Sequence, residues 1–265
     1  MIKIGCCLNM NAKGEPKIGQ EAIPLFAKMG FDYVELPLAQ VMELPAGKFK
    51  AVLEMIKAGI PLEACNNFFP ASVRLTGNDA KLETILEYAK AAIEKAALMG
   101  AKVIVLGSSG AKNIPPGFPY ESAVVQLKEL LIELDRIVKP LGITVVLEPL
   151  NSKESNFITT AAEGLGIVEE LSLDNVKLLI DYYHMRVENE DSEVVNKAGD
   201  DLRHIHIASC EGRFFPKPAD NENYGMFLAR LKASGYDHRI SIEAYSNDLA
   251  TDGAASLKLL RSLVY

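Results

Sequence analysis

Several kinds of signal are missing from this sequence, and each absence removes a class of function. No stretch approaches the roughly 20 consecutive apolar residues that a membrane span needs. The opening residues Met1–Asn11 form an apolar stretch too short and too polar for a secretory leader. A cytoplasmic protein with no membrane partner is the expectation. There is no dense run of Lys or Arg, and the formal net charge is -7, so the chain carries no electrostatic footprint for phosphate backbones or anionic lipid. Nucleic acid is not an expected partner. The cysteines are few, Cys6, Cys7, Cys65 and Cys210, and share no metal or disulfide spacing, which makes them small apolar fillers. No GxGxxG or GxxxxGK[ST] follows a strand-like run, which disfavours an open nucleotide-binding sheet.

What is present is apolar surface and a repeating punctuation. Residues of hydrophobic type make up 49% of the chain and charged ones 24%, enough to close a large core and too little charge for a disordered one. A helical run, a glycine and then a β-rich run recur in AKMGFDYVEL, IKAGIPLEAC, ALMGAKVIVLG, KPLGITVVLEPL and KASGYDHRISIEAY. Gly30, Gly59, Gly100, Gly142 and Gly235 each stand where a helix would end in a left-handed residue. The strand-like runs begin at Ile2, Asp32, Pro61, Lys102, Thr144, Val176, His204 and Ile240. Amphipathic stretches such as Asp79 to Met99 and Ser122 to Val138 lie between them. Eight βα units in 265 residues imply one closed (β/α)8 TIM barrel over residues 1–265, the length that about 250-residue barrels require.

In such a barrel the chemistry sits at the carboxyl ends of the strands. The last four strands each end in a group that binds metals: Glu148 after TVVL, Asp181 after KLLI, His206 in HIHI and Glu243 after ISI. A carboxylate is costly to bury beside apolar strands, and three converging ones repel, so a divalent cation answers both costs. Three oxygen donors and one imidazole suit Mn2+ best, with Mg2+, Co2+ or Zn2+ as alternatives. His204 has the parity of His206 two residues deeper and reads as a packed core histidine. Glu35, ending the second strand, reads as a structural ion pair. The GSSG turn from Gly107 offers backbone N–H groups to a ligand, and the segments Glu211–Gly225 and FFP from Phe68 read as walls or lids over the site.

LEPLNSKE, LLIDYYHM, HIHIAS with EGR, and SIEAY resemble the motifs of the xylose-isomerase-like barrel superfamily, within the sugar isomerase/epimerase group. The resemblance implies that Glu148, Asp181, His206 and Glu243 bind one divalent metal and that Glu148 and Glu243 are also the catalytic acid/base pair. It further implies that His184, Glu154 and Arg213 hold the substrate's oxygens, Arg213 lying seven residues past His206 where six are expected. Epimerases of the group usually carry Arg and Phe where this chain reads Ser152 and Lys153, and a tryptophan in the substrate pocket, whereas this chain has no tryptophan. The implied activity is isomerisation or epimerisation of a small sugar or keto-sugar, by proton abstraction next to a carbonyl through a metal-stabilised enediolate. A metal-dependent dehydratase or lyase acting on a cyclic hydroxy or keto acid is the competing reading. A homo-oligomer is expected. An abasic-site endonuclease on the same barrel is excluded by the acidic charge and the scarcity of histidine.

Overall fold

The computed structural model describes residues 1–265. Eight parallel strands close a barrel in chain order: β1 (Lys3–Cys7), β2 (Tyr33–Pro37), β3 (Leu62–Asn66), β4 (Val103–Leu106), β5 (Thr144–Leu147), β6 (Val176–Asp181), β7 (Leu202–Ile207) and β8 (Arg239–Ile242), with β8 paired back to β1. Outside them run α1 (Ile23–Met29), α2 (Leu38–Met42), α3 (Ala46–Ala58), α4 (Leu82–Met99), α5 (Ser109–Lys112), α6 (Tyr120–Val138), α7 (Ala161–Leu171), α8 (Tyr182–Val187), α9 (Val194–Ala198), α10 (Tyr224–Ala233) and α11 (Leu249–Val264). The expected (β/α)8 barrel is therefore the observed one. No helix is long and apolar enough to cross a membrane.

The helices bury the stripe that their sequence marks. In α4 the buried residues are Ile85, Ala89, Ala92, Ile93, Ala96 and Met99, and in α6 Ala123, Leu127, Leu130, Leu131, Leu134 and Val138, both at spacings of three and four. Four of the five junction glycines adopt the left-handed conformation, Gly100 at φ 97° among them. Gly59 does not, with φ -116°. A Cβ there would lie 3.1 Å from the Met55 carbonyl oxygen, a tight approach that glycine relieves. The α7 to β6 junction uses Ser172 in the left-handed region instead, which is why it shows no glycine punctuation.

Inside the barrel Tyr33, Ala64, Val103, Val105, Val146 and Leu179 form a compact plug. Tyr33 stands opposite Gly5 across the β1–β2 pair, and a Cβ on Gly5 would fall 2.4 Å from the Tyr33 ring. The Tyr33 hydroxyl then bonds Ser241 Oγ at 2.7 Å, which fixes the floor beneath the strand ends. Gly5→Ala should destabilise the barrel by about 1–3 kcal/mol, the usual cost of overpacking a filled core. Denaturant unfolding measures it, and a variant as stable as the parent would mean that the plug yields.

Candidate active site

Glu148 and Glu243 sit one residue beyond β5 and β8, Asp181 ends β6, and His206 lies near the end of β7. Parallel pairing sets Asp181 opposite His206, and His206 opposite Ser241, two residues before Glu243. Four side chains that span 96 positions of sequence are thereby gathered until their donor atoms all lie within 4.8 Å of one another, every one buried. His206 Nδ1 lies 3.1 Å from Glu148 Oε1 and 3.4 Å from Glu243 Oε2. The cluster could hold a cation: with Glu154 and Glu35 nearby, five carboxylates face Arg213, Lys112 and the His206 imidazole, whose pKa its acidic neighbours raise. A divalent ion brings that balance nearer neutrality and suits three oxygens with one imidazole nitrogen.

The electrostatics follow from burial and from those few cations. Burial raises the Glu148 carboxyl above its ordinary range, with His206 pulling the other way. Burial also drives Asp181 up, to about 7, against the pull of Arg213. At Glu243 burial is overcome by Arg213 and then His206, which hold it well below the usual carboxylate range. For the His206 imidazole, burial favours the neutral form, but Cys7, Glu35, Glu243 and Glu148 together raise it.

The side chains expected around this cluster are there. Arg213 bonds Glu243 and reaches Asp181 Oδ2 at 3.2 Å and Glu154 Oε2 at 3.5 Å, its guanidinium 4.7 Å from the centre of the Tyr183 ring. Gly212 and Arg213 both take positive φ, and that tight turn accommodates the seven-residue spacing from His206. His184 presents Nε2 to Asp181 Oδ2 at 3.4 Å. The Asn151 backbone N–H donates to its Nδ1 at 3.2 Å, which leaves the proton on Nε2. Burial, then Arg213, lowers the His184 pKa to about 2, so it is neutral throughout the working range. Glu154 is exposed at the rim, where it accepts from Asn151 Nδ2 at 2.9 Å.

A second layer lies directly below. Glu35, wholly buried, bridges His206 Nε2 at 3.2 Å and His204 Nε2 at 2.9 Å, and accepts from Ser241 Oγ at 2.6 Å. The ion-pair reading of Glu35 and the core reading of His204 both hold. Their consequence was not visible in sequence: Glu35 holds the Nε2–H of His206 and turns Nδ1 toward the cluster above, where a cation would replace its proton. Cys7 packs beside this pair, its Sγ 3.9 Å from His206 Nε2, and its burial with Cys6 and Cys65 agrees with a filler role.

Other expectations change. Phe68 and Phe69 are fully buried against the core and Tyr88, so FFP is packing rather than a substrate wall. The GSSG turn serves by shape: a Cβ on Gly107 would lie 1.8 Å from Glu148 Oε2, so glycine makes room for that carboxylate. Ser108 Oγ is taken up by Asn67 and the Phe69 N–H. In the 211–225 segment, Glu222 ties the chain down by accepting from Tyr182, Arg186 and the Cys210 N–H, and only Arg213 of the segment lines the cavity. Sequence reasoning also missed Asn66, Asn151 and Lys112. Lys112 is entirely buried, donates to the Glu148 carbonyl at 2.8 Å, and is lowered by burial to about 8. Only its place after the fourth strand hinted at the site. The cavity above the cluster is about 150 Å3, lined by Asn9, Asn66, Asn67 and the 107–109 turn on one side and by Glu148, Glu154, His184, Arg213 and Glu243 on the other.

Two outcomes are expected. Glu35→Gln should weaken Mn2+ binding about 10- to 100-fold in a chelator-competition titration, because the His206 orientation is then under-determined; unchanged affinity would count against the buried bridge. Because Asp181 is raised to about 7 in the metal-free protein, a cation must displace its proton at lower pH. Apparent Mn2+ affinity should fall from about pH 8 to about pH 6, with more protons released per ion at the lower pH, as calorimetry in buffers of different ionisation enthalpy would read. Equal release at both would contradict it.

Comparison with known proteins identifies the family. The family model described as xylose isomerase-like TIM barrel matches residues 23–263. An L-ribulose 3-epimerase of Methylomonas is 26% identical over 87% of this chain and 79% of its own length. Another, of Mesorhizobium japonicum, is 29% identical over a shorter stretch, 46% of this chain and only 41% of that protein. The solved D-psicose 3-epimerase of Clostridium cellulolyticum superposes with a TM-score of 0.85 at 20% identity, covering 99% of both chains. The chain belongs to the xylose isomerase-like TIM barrel family.

Proposed function

We propose that this protein is a divalent-metal-dependent sugar epimerase that inverts a carbon next to the carbonyl of a small ketose, with Glu148 and Glu243 as the proton carriers. The observation that carries this reading is the pair of buried glutamates brought from β5 and β8 against His206 Nδ1, at 3.1 and 3.4 Å. Two curated relatives are L-ribulose 3-epimerases, which supports a ketose substrate and a sugar epimerase.

A hydrogen α to a carbonyl is too weakly acidic for a carboxylate to remove unaided. The cation held by Glu148, Asp181, His206 and Glu243, with Mn2+ the best match to the donor set, would stabilise the negative charge that spreads over the carbonyl and neighbouring oxygen as the C–H bond breaks. One glutamate takes the proton from one face of the carbon, and the electron pair moves toward the carbonyl oxygen to leave an enediolate. The other glutamate returns a proton to the opposite face, which inverts the carbon. His184, neutral and with its hydrogen on Nε2, donates to a substrate oxygen. Arg213, held over Tyr183 and anchored by Asp181 and Glu243, orients a second.

Solvent-deuterium uptake into a panel of ketoses, followed by NMR with and without a chelator, tests the reading. Uptake next to the carbonyl, accumulation of the epimer and loss of both on chelation are expected. Glu148→Gln and Glu243→Gln should each lower exchange by about 10²- to 10⁴-fold, with at least one variant still binding metal, since the amide keeps a carbonyl donor but takes no proton. Full activity in either variant, or exchange in the absence of any metal, would overturn it.

A further inference from the structure

Of the two proposed proton carriers, Glu243 is the one whose carboxylate oxygens are both engaged. Its Oε2 turns toward the cluster, bonded by Arg213 and 3.4 Å from His206 Nδ1. Its Oε1 accepts from Asn66 Nδ2 at 2.9 Å, an amide that ends β3, on the other side of β1 and β2 from β8. Glu148 has no such support. Its Oε1 meets His206 Nδ1 at 3.1 Å, and its Oε2 lies in the space that Gly107 leaves, with no side-chain amide or guanidinium bonded to it.

Asn66 is itself fixed for this contact. It is buried, and the hydrogen bonds of its side chain all run through Nδ2, to Glu243 Oε1 and to Asn9 Oδ1 at 3.1 Å. The ionised carboxylate only accepts, so it dictates which end of the amide faces it, and Asn9 takes the second hydrogen of the same nitrogen. The amide oxygen is buried without a partner, which is costly, so the side chain is stabilised here by its nitrogen alone.

A glutamate carboxyl turns easily about its last bond, a broad two-fold torsion. A proton, however, is taken only along a lone pair aimed at the carbon that carries it. With Oε2 given to the cluster and Arg213, Oε1 is the oxygen left for that work. Asn66 occupies one lone pair of Oε1 and thereby sets the plane in which the other is presented.

We infer that Asn66 is a positioning residue for proton transfer at Glu243, its amide fixing the carboxylate plane so that Oε1 is aimed at the substrate carbon. The inference rests on the epimerase reading and deepens it, because it makes the two proton carriers unequal in their support. Glu243 is aimed by a hydrogen bond from across the mouth, and Glu148 by the fit of its carboxylate against Gly107. From one epimer Glu243 Oε1 takes the hydrogen as a proton, the electron pair passing toward the carbonyl oxygen. From the other epimer Glu148 takes it, and Glu243 returns a proton to its own face.

The test uses the metal-loaded enzyme and the two epimers of a ketose that takes up solvent deuterium, each prepared with hydrogen or deuterium at the inverted carbon. In Asn66→Leu, kcat/KM should fall about 10- to 100-fold in both directions, carried by kcat, with KM and Mn2+ affinity in a chelator titration within about threefold of wild type. The two substrate isotope effects should diverge. The effect should rise for the epimer whose hydrogen Glu243 takes, and fall toward 1 for the other, whose slow step becomes the return of a proton from Glu243. Asn66→Ala provides the same comparison should the leucine variant fail to fold. Absence of deuterium uptake by wild type into any ketose removes the epimerase reading and this inference with it. Wild-type rates in both variants, isotope effects that move together, or a loss of Mn2+ affinity as large as the loss of rate overturns the role of Asn66 alone.

Discussion

Mutual repulsion among buried carboxylates is the constraint on which this active site depends. Glu148, Asp181 and Glu243 are brought together in a dry barrel mouth, where like charges interact strongly and water cannot disperse them. Such an arrangement is stable only if positive charge is supplied among the oxygens. Arg213 supplies part from the rim and the His206 imidazole part from within, and the donor atoms leave a centre that a divalent ion completes. The same tension that makes the site expensive to fold makes it able to stabilise charge on a bound substrate.

Support for that centre is arranged in layers down the barrel axis. The Tyr33 ring occupies space that Gly5 vacates, its hydroxyl holds Ser241, and Ser241 and His204 hold Glu35, which in turn orients His206. Gly107 vacates space for the Glu148 carboxylate in the same way, and Lys112 secures the backbone carbonyl of that residue from behind. His206 and Glu148 are thus each held by a buried partner, Glu35 and Lys112, that does not itself line the cavity. The geometry is set by packing on rigid strands, as a site that must hold two proton carriers in register requires.

The cavity has two unlike walls. The β5–β8 side concentrates charge and the proposed chemistry, and the β1, β3 and β4 side is made of neutral amides and hydroxyls. Asn66 joins them, since one end of its amide touches Glu243 and the other is unpaired. No tryptophan is available to this second wall, whose amides and hydroxyls offer hydrogen bonds and no aromatic face.

Periodicity and strand-end position were enough for the barrel, its eight strands and the residues Glu148, Asp181, His206 and Glu243, because both are local: a helix marks its buried face every three or four residues, and a parallel strand exposes its carboxyl end to the same side each time. Glu35 and His204 could be recognised as buried polar groups but not as the support of His206, since their pairing joins β2 to β7 across the barrel. The burial of Phe68 and Phe69, the steric role of Gly107 and the unpaired oxygen of Asn66 were decided by tertiary structure alone. Each depends on what approaches from an element distant in sequence, and a residue's type does not say whether its neighbours will leave it a partner, a gap or neither.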